Sequence, residues 1–312
     1  MIGLSSVSSH VSYLPFSSTK SILLDGSNEL IDVNDTFKTT FNDSFSISAW
    51  VKVTDGNPTA TKYICGSSNS SSEDEVFIRI STAGLLGFVV KSNNDTGLCE
   101  TDAAVFTDGA NDWKHIACTA TKGGSGNTAF AIYVNGSAVA STTDFQLTVA
   151  NHGNFDTDIN FSIGALNNND TRQGHFAGAI DEFGLWSSVL SANAVSALYN
   201  NGKPTELSSP ITDAYTAQAD LVAWYRMGDG YLDDAGSNTS GGSRAVIPNQ
   251  VGASIGANLA TGNNNNFATG VGDWVAYGIG SATGTSISAS SEILTVTLGG
   301  NGGATDNEGA QL

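Results

Sequence analysis

Hydrophobic and polar residues alternate along much of the chain with a period of two. In the segment Phe45–Val53, FSISAWVKV, every odd-numbered residue is apolar and the residues between them are mostly polar. Because successive side chains of a strand point to opposite faces, one face of this segment is predicted to be buried and the other to lie near solvent, as in antiparallel sheets. Similar segments follow at 76–80, 85–90, 114–121, 130–134, 137–141, 161–164 and 176–186.

A turn and a helix interrupt the alternation. Asn135-Gly136 joins two of the segments, and this dipeptide is typical of a tight hairpin turn in which both residues take positive φ. Leu190–Tyr199 has apolar residues at helical spacing, with Ser191 placed as its N-cap and Gly202 and Pro204 placed to end it. We expect this short helix to cover an edge or an end of the sheets. Many short strands with a single short helix predict an all-β sandwich.

The composition changes along the chain and predicts four sections. An N-terminal arm (1–20) precedes a β domain (21–232), in which residues 205–220 form a polar connector and Leu221–Tyr225 form one more strand. Residues 233–266 are rich in Gly, Ser and Asn and indicate a linker. Residues 267–312 contain only a few strand-like pieces, too little to be stable alone. We therefore expect a partial second β domain, either truncated or packed on a partner.

The charge of the chain excludes two classes of partner. The 312 residues include 30 acidic and 12 basic ones, which gives a net charge of −18. An acidic surface repels phosphates, so nucleic-acid binding is excluded. No apolar run approaches the roughly 18 residues of a transmembrane helix, which excludes membrane insertion by such a helix. The first residues have neither a basic nor an apolar stretch, so no signal peptide is expected.

The three cysteines are Cys65, Cys99 and Cys118, and their spacing indicates neither a metal site nor a disulfide framework. Cys118 shares a strand face with Ile116 and is predicted to be a buried free thiol. A disulfide between Cys65 and Cys99 is left open.

Five motifs occur in the order that one protein family uses. They are SILLDG (21–26), FSISAWVK (45–52), WKHIA (113–117), IYVNG (132–136) and FAGAIDEF (176–183). Together they resemble the laminin G-like branch of the concanavalin A-like lectin/glucanase superfamily. The resemblance implies a two-sheet antiparallel jelly roll. The strand Leu221–Tyr225 resembles the opening strand of that family, so it either completes the same sandwich in permuted order or begins a second copy.

Two weaker resemblances concern the carboxyl-terminal part. The segment from Trp224 to Leu259 is similar to segments of structural proteins of marine bacteriophages. The segment from Asn266 to Trp274 resembles the opening of a different carbohydrate-binding jelly roll, which supports truncation of the second β domain.

The resemblance also implies a calcium site. Asp25 ends one strand and Asp181 lies in the closing strand, and these two strands are neighbours in related jelly rolls. Calcium takes six to eight oxygen ligands, so Asn28, backbone carbonyls or water would complete the set. The alternative is that both carboxylates only accept hydrogen bonds from turn and loop amides.

No catalytic machinery is apparent in the sequence. The glucanase members of the superfamily carry Glu-x-Asp-x-x-Glu on one strand, which places two carboxylates on the same face, and this motif is absent. The contiguous Glu73–Glu75 is predicted to be a solvated loop. His115 has no nucleophile motif nearby and is predicted to be a partly exposed strand residue. We expect the protein not to be an enzyme.

Sugar recognition needs exposed aromatic faces beside amide and carboxylate side chains. Two loops carry such polar groups, although flexible loops of the same composition are common; their candidate residues are Asn167, Asn168, Asn169, Asp170 and Arg172 in one and Asn93, Asn94 and Asp95 in the other. Trp50 lies on the polar face of its strand and is expected to be covered by a loop or by the helix. Trp113, Trp186 and Trp224 are assigned to the core.

These observations favour a non-enzymatic bacteriophage virion protein (a fibre, spike or capsid-attached appendage) whose jelly roll serves assembly and contact with a host-surface glycan. Its partners would be other virion proteins and further copies of itself, a trimer being the ordinary arrangement of a fibre. The alternative is a bacterial carbohydrate-binding module or adhesin, secreted or at the cell surface. A polysaccharide hydrolase or lyase is the third hypothesis.

Overall fold

The computed structural model describes residues 16–69, 73–109, 112–230, 233 and 247–251, with the backbone of 286–290 and 293–297. The chain divides into two units, Met1–Val251 and Gly252–Leu312. The first unit holds the β sandwich.

The first unit is built from short strands, as the alternation predicts. In chain order they are β1 (Ile22–Asp25), β2 (Ile31–Asp32), β3 (Phe45–Val53), β4 (Lys62–Asn69), β5 (Asp74–Ile80), β6 (Leu86–Ser92), β7 (Asp95–Thr101), β8 (Lys114–Thr121), β9 (Ala129–Val134), β10 (Ser137–Ala138), β11 (Ser141–Phe145), β12 (Ser162–Ile163), β13 (Leu166–Asn168), β14 (Thr171–Gln173), β15 (Ala177–Trp186) and β16 (Leu221–Tyr225). The helices are α1 (Lys38–Phe41), α2 (Val149–His152) and α3 (Ala192–Tyr199), and Ala217–Asp220 form a 3₁₀ turn.

The strands form two sheets. A seven-stranded sheet has the order β1-β15-β3-β8-β9-β10, with β16 also paired to β15. A nine-stranded sheet has the order β11-β7-β6-β5-β4-β12-β2, with the hairpin β13–β14 attached to β4. All pairings are antiparallel except that of β13 with β4. The predicted all-β, two-sheet antiparallel jelly roll is confirmed.

The core fills the space between the two sheets. The odd-numbered residues of β3, from Phe45 to Val53, belong to it, as the alternation predicts. Edge-to-face phenylalanine pairs contribute to its packing, such as Phe45 against Phe88, whose ring centroids are 5.9 Å apart.

A second apolar cluster covers the outer face of the seven-stranded sheet. The helix α3 lies there, and Ser191 caps it by accepting a hydrogen bond from the Ala194 N–H at 3.1 Å, as predicted. The helix ends at Asn200, which takes the left-handed conformation. The cluster combines residues of the helix, the outer face of the sheet and the following segment, namely Ala117, Tyr133, Trp186, Leu190, Ala194, Val195, Leu198, Leu207, Tyr215, Leu221 and Trp224.

Several local predictions are confirmed. Asn135 and Gly136 take φ values of 49° and 78° between β9 and β10, as the hairpin turn requires. The strand β16 pairs with β15 and so completes the same sandwich in permuted order. Besides α3, the two single-turn helices α1 and α2 occur.

Four predictions about exposure are wrong. The outer face of β3, predicted to lie near solvent, is buried at Ser46 and Ser48, because the segment that leads into α3 lies over it. Trp113 is 37% exposed and does not belong to the core, because it precedes β8 outside the covered part of the sheet. His115 is only 2% exposed, because α3 covers it. The acidic run is not a solvated loop: Asp74 begins β5 and is buried, accepting a hydrogen bond from the Asp156 N–H at 3.0 Å.

All three cysteines are buried free thiols, so Cys118 is as predicted and Cys65 and Cys99 are not bridged. Burial raises the pKa of the Cys65 and Cys118 thiols. Within the part of the chain that the structure describes, no helix is both long and apolar enough to span a membrane.

The second unit contains the antiparallel hairpin of β17 (Ser286–Ser290) and β18 (Ile293–Thr297). The third predicted piece, 273–279, lies outside the described residues, as does most of the predicted linker. Residues 247–251 fall within that predicted linker and bond to β16 of the first unit, where the Gln250 N–H donates to the Trp224 carbonyl at 2.7 Å. The proposed domain boundaries stay a prediction.

Candidate functional site

A cleft opens on the outer face of the seven-stranded sheet, beyond the carboxyl end of α3. Its volume is about 290 Å³. We call it the Trp113 cleft. The residues that line it come from distant parts of the chain and are Ser18, Thr19, Lys20, Ser21, Trp50, Trp113, Asp181, Gly202 and Pro204.

The register of the sheet sets the floor of the cleft. Trp50 on β3 lies directly opposite Asp181 on β15, and both side chains belong to the outer face. Trp50 is covered as predicted, because its ring stacks on Tyr199 of α3 with centroids 5.8 Å apart. Trp50 is therefore only 5% exposed and contributes little of its surface to the cleft.

Trp113 provides an exposed aromatic surface at this cleft. It stands immediately before β8, whose Lys114 pairs with Val51 and whose His115 pairs with Trp50. Because alternation puts His115 on the outer face, Trp113 lies on that side too. Lys20 adds a positive charge to the cleft, and no ion pair of Lys20 is found among the described residues.

A bulge in β15 places two neighbouring carboxylates on the outer side of the sheet. The pairing with β3 shifts between Asp181 and Gly184, and Glu182 takes a φ of 46°. Regular alternation would point Glu182 into the core, whereas the bulge turns it toward Trp224, whose Nε1–H donates to it at 2.6 Å. The Arg226 Nε–H also donates to Glu182, at 3.3 Å.

Both carboxyl groups are buried, which disfavours their charged forms. Burial raises the pKa of Asp181 to about 6, although hydrogen bonds from Ser18 Oγ and the Glu182 N–H oppose the rise. Burial and the neighbouring Asp181 raise the pKa of Glu182 to about 8, against the opposing effect of Arg226. Each Asp181 oxygen accepts one hydrogen bond, at 2.7 and 2.8 Å, which leaves lone pairs for a ligand.

The structure does not bring the two predicted calcium ligands together. The strands β1 and β15 are neighbours, but Asp25 lies opposite Ala177, four positions along β15 from Asp181. Asp25 accepts a hydrogen bond from the Ser27 N–H at 2.8 Å, and Asn28 is exposed on the same turn. No group of three or more His, Cys, Asp or Glu suited to a metal occurs among the described residues. Calcium binding stays a prediction.

The first predicted glycan loop is the hairpin β13–β14, and several of its polar groups are bonded within the protein, although the buried Asn168 Oδ1 accepts no hydrogen bond from the described residues. Asn167 is fully buried and donates to the Asn160 carbonyl at 2.8 Å. Arg172 donates to Asn167 and also to Asp32 at 2.8 Å, and it lies 3.9 Å from Asp170. Asn169 and Asp170 form the turn, both with positive φ, and Asn168 precedes them on β13.

The second predicted loop is the turn between β6 and β7. Asn93 and Asn94 take φ values of 50° and 63°, as this hairpin requires. Asp95 accepts hydrogen bonds from the Thr148 N–H and hydroxyl, each at 2.8 Å. The Asn93 amide donates to Asn151 at 3.0 Å. The amides and carboxylate of this loop therefore hold the turn and the start of α2.

Sequence reasoning missed the Trp113 cleft as a site. The sequence analysis assigns Asp181 to a calcium site, expects Trp50 to be covered, and assigns Trp113 to the core. One signal could have found Trp113, since it continues the outer-face pattern of β8 one position beyond the strand. The contribution of Ser18–Ser21 has no local signal, because it depends on contacts with residues more than 150 positions away.

Residues 25–196 match the model of the family described as the concanavalin A-like lectin/glucanases superfamily, which is more than half of the chain. A comparison with curated proteins finds no match. Among solved structures, the chain is similar to the CBM40 of the Ruminococcus gnavus IT-sialidase, at 18% identity and a TM-score of 0.45 over 58% of this chain and 97% of that one. It is also similar to a putative carbohydrate binding protein from Bacteroides ovatus, at 21% identity and a TM-score of 0.45 over 76% of this chain and 57% of that one.

Proposed function

We propose that this chain, which belongs to the concanavalin A-like lectin/glucanases superfamily, is a non-enzymatic glycan-binding protein whose ligand site is the Trp113 cleft. One observation carries the proposal: a partly exposed indole and a hydrogen-bonding carboxylate, Asp181, share one cleft. The superfamily hosts many functions, so the assignment depends on this site rather than on the fold.

The two groups match the two surfaces of a sugar. A pyranose ring presents apolar C–H groups on its faces and hydroxyl groups around its edge. The indole of Trp113 offers an apolar face for the ring, and Asp181 accepts hydrogen bonds from hydroxyl groups. The volume of about 290 Å³ is at the low end of small-molecule sites, which favours one or two sugar units over a long chain.

The placement of the carboxylates supports binding without hydrolysis. Most glycoside hydrolases use two carboxyl groups that flank one bond, about 5–9.5 Å apart. Asp181 lines the cleft, whereas Glu182 does not and is bonded to Trp224 and Arg226. A ligand in the cleft therefore meets only one of the two.

The virion setting is a separate proposal. It is supported by the resemblance of Trp224–Leu259 to marine bacteriophage segments, and it would make the glycan a host-surface one, with other virion proteins and copies of this chain as partners. A bacterial carbohydrate-binding module or adhesin fits the cleft equally well. Mass spectrometry of purified particles separates the two, because an appendage protein must be found in the particle.

Binding is tested with the full chain on a glycan array, followed by a solution titration of each positive glycan. We expect saturable binding of at least one glycan and no change in that glycan on long incubation. Absence of binding across the array would contradict the proposed site, and release of shortened products would contradict the non-enzymatic assignment.

A further inference from the structure

One wall of the Trp113 cleft is formed by a segment that precedes the sandwich in sequence. Ser18, Thr19, Lys20 and Ser21 make up four of the nine residues that line the cleft. The segment 16–21 contains no strand, so no ladder of backbone hydrogen bonds fixes it to the sheet. Contacts other than strand pairing must therefore keep this segment in place as a wall of the cleft.

A single carboxylate makes several of the contacts that hold the segment. Asp229, in the loop after β16, accepts hydrogen bonds from the Thr19 N–H at 2.5 Å and the Lys20 N–H at 2.7 Å. It also accepts one from the Thr19 hydroxyl at 2.8 Å. Burial opposes ionisation of Asp229, but these hydrogen bonds and the nearby Arg226 outweigh burial and hold its pKa below the usual value.

The neighbouring Arg226 makes further contacts with the same segment. Its guanidinium lies 4.5 Å from the centroid of the Phe16 ring, and it donates a hydrogen bond to the Ser17 carbonyl. Phe16 also stacks on Trp224, with ring centroids 6.3 Å apart. These contacts fix the start of the segment, and those of Asp229 fix the part that faces the cleft.

The loop that carries Asp229 is itself held in place. Arg226 donates to the Asp229 carbonyl at 2.9 Å, and the N–H groups of Gly228 and Gly230 donate to Asp233 at 2.7 and 2.8 Å. The stem of Lys20 packs on Gly228 so closely that a Cβ there would lie 3.2 Å from it. The bonds of Arg226 and Asp233 within the loop therefore do not depend on the segment.

We propose that Asp229 is a positioning residue of the Trp113 cleft: it holds Ser18–Ser21 as the wall of the cleft, and ligand binding is coupled to docking of this segment. The inference rests on the proposed function. If a ligand contacts the docked wall, it binds the docked state more tightly than the undocked one. The coupling is reciprocal, so the ligand must also stabilise docking of the segment.

The coupling is tested in the full chain with Asp229→Ala. Without ligand, the amide protons of Thr19 and Lys20 should exchange with solvent faster than in the wild type, because their acceptor is gone. With a glycan identified on the array, affinity should fall about tenfold, within the usual range of coupling. The glycan should also slow exchange of these two amides in the wild type.

Asp102→Ala is the control, because Asp102 also accepts a threonine hydroxyl, that of Thr142 at 2.7 Å, but on the edge of the nine-stranded sheet. It should leave exchange of the two amides and affinity unchanged. If Asp229→Ala does not fold, Asp229→Asn, which keeps an acceptor oxygen, should show smaller changes in the same direction. Unchanged affinity in a folded Asp229 variant would overturn this inference alone, whereas no glycan binding by the wild type would overturn it together with the proposed function.

Discussion

The two ends of the outer face of the seven-stranded sheet are made by the same strands and behave differently. At the covered end, Trp186 is fully buried, and its Nε1–H donates to the Tyr215 hydroxyl at 3.0 Å. At the open end, Trp113 remains 37% exposed and lines a cleft. Both indoles follow the same alternation, so what differs is the cover supplied by α3 and the segment after it.

Whether a residue on this face belongs to the core or to the cleft therefore depends on whether α3 and the segment after it cover the residue. It does not depend on the strand alternation, which is the same at both ends. Between the two ends lies His115, packed against Trp50 and Tyr199 with ring centroids 5.3 and 6.3 Å away. The buried residues of the covered end should therefore matter for stability. The residues of the Trp113 cleft should matter for binding.

The largest effect is expected at the covered end. Trp186→Ala should lower the free energy of unfolding by about 3–5 kcal/mol, because it leaves a cavity and removes the hydrogen bond that the Tyr215 hydroxyl accepts. For a domain of this size that corresponds to a melting temperature lower by about 10 °C. Urea unfolding measures the loss, and Trp113→Ala should lower the free energy of unfolding by only about 1 kcal/mol. Similar losses in the two variants would remove the distinction between the ends.

His115, at the boundary, should make the fold sensitive to acid. Burial lowers the pKa of His115 to about 3 from 6.5. The unfolded chain therefore binds this proton at a higher pH than the folded one, and stability falls as pH drops below about 6.5. Between pH 6.5 and about pH 4.5 the wild type should lose about 2 kcal/mol more than His115→Phe. His152, whose pKa burial lowers to about 4, acts in both proteins, so equal losses would show that His115 titrates normally.

Asp181 should give binding at the open end a pH dependence. Burial raises its pKa to about 6, so the carboxylate that accepts ligand hydroxyls disappears as pH falls through that value. Affinity for a bound glycan should fall about tenfold between pH 7 and pH 5 in the wild type. Asp181→Asn should bind more weakly at pH 7 and show little change with pH. Identical pH profiles of the two proteins would place the ligand away from Asp181.

The smallest effect on binding is expected at the hairpin β13–β14. Arg172 is engaged by Asp32 and Asn167, so Arg172→Ala should lower stability by about 1 kcal/mol and leave glycan affinity unchanged. The same titration and urea unfolding measure both quantities. A loss of affinity with unchanged stability would move the site to the nine-stranded sheet.

The sequence was sufficient where local patterns decide the structure. The inward face of Phe45–Val53, the turn at Asn135-Gly136 and the N-cap Ser191 each depend on neighbouring residues, and all three are as predicted. The outer face of the same strand was predicted to lie near solvent and is buried, because its cover comes from a distant part of the chain. Whether β16 joined the same sandwich could not be decided from the sequence, because its pairing with β15 is a long-range contact.

The candidate site was mostly beyond local patterns. The bulge that turns Glu182 outward has no sequence signature, and the wall at Ser18–Ser21 depends on Asp229, about 210 positions away. The Asn-rich loops misled for a related reason. Asn and Asp side chains bond to groups of their own protein as readily as to ligands, and in this fold Asn93, Asp95 and Asn167 make such internal bonds.

The most direct test of the account is the affinity of one array-positive glycan for the wild type, Trp113→Ala and Phe145→Ala, measured by calorimetric titration. Phe145 is the matched control, because it is 58% exposed on β11 of the other sheet. Loss of the aromatic face should weaken binding at least tenfold in Trp113→Ala, whereas Phe145→Ala should bind like the wild type. Equal affinity in all three proteins would contradict the assignment of the Trp113 cleft as the ligand site.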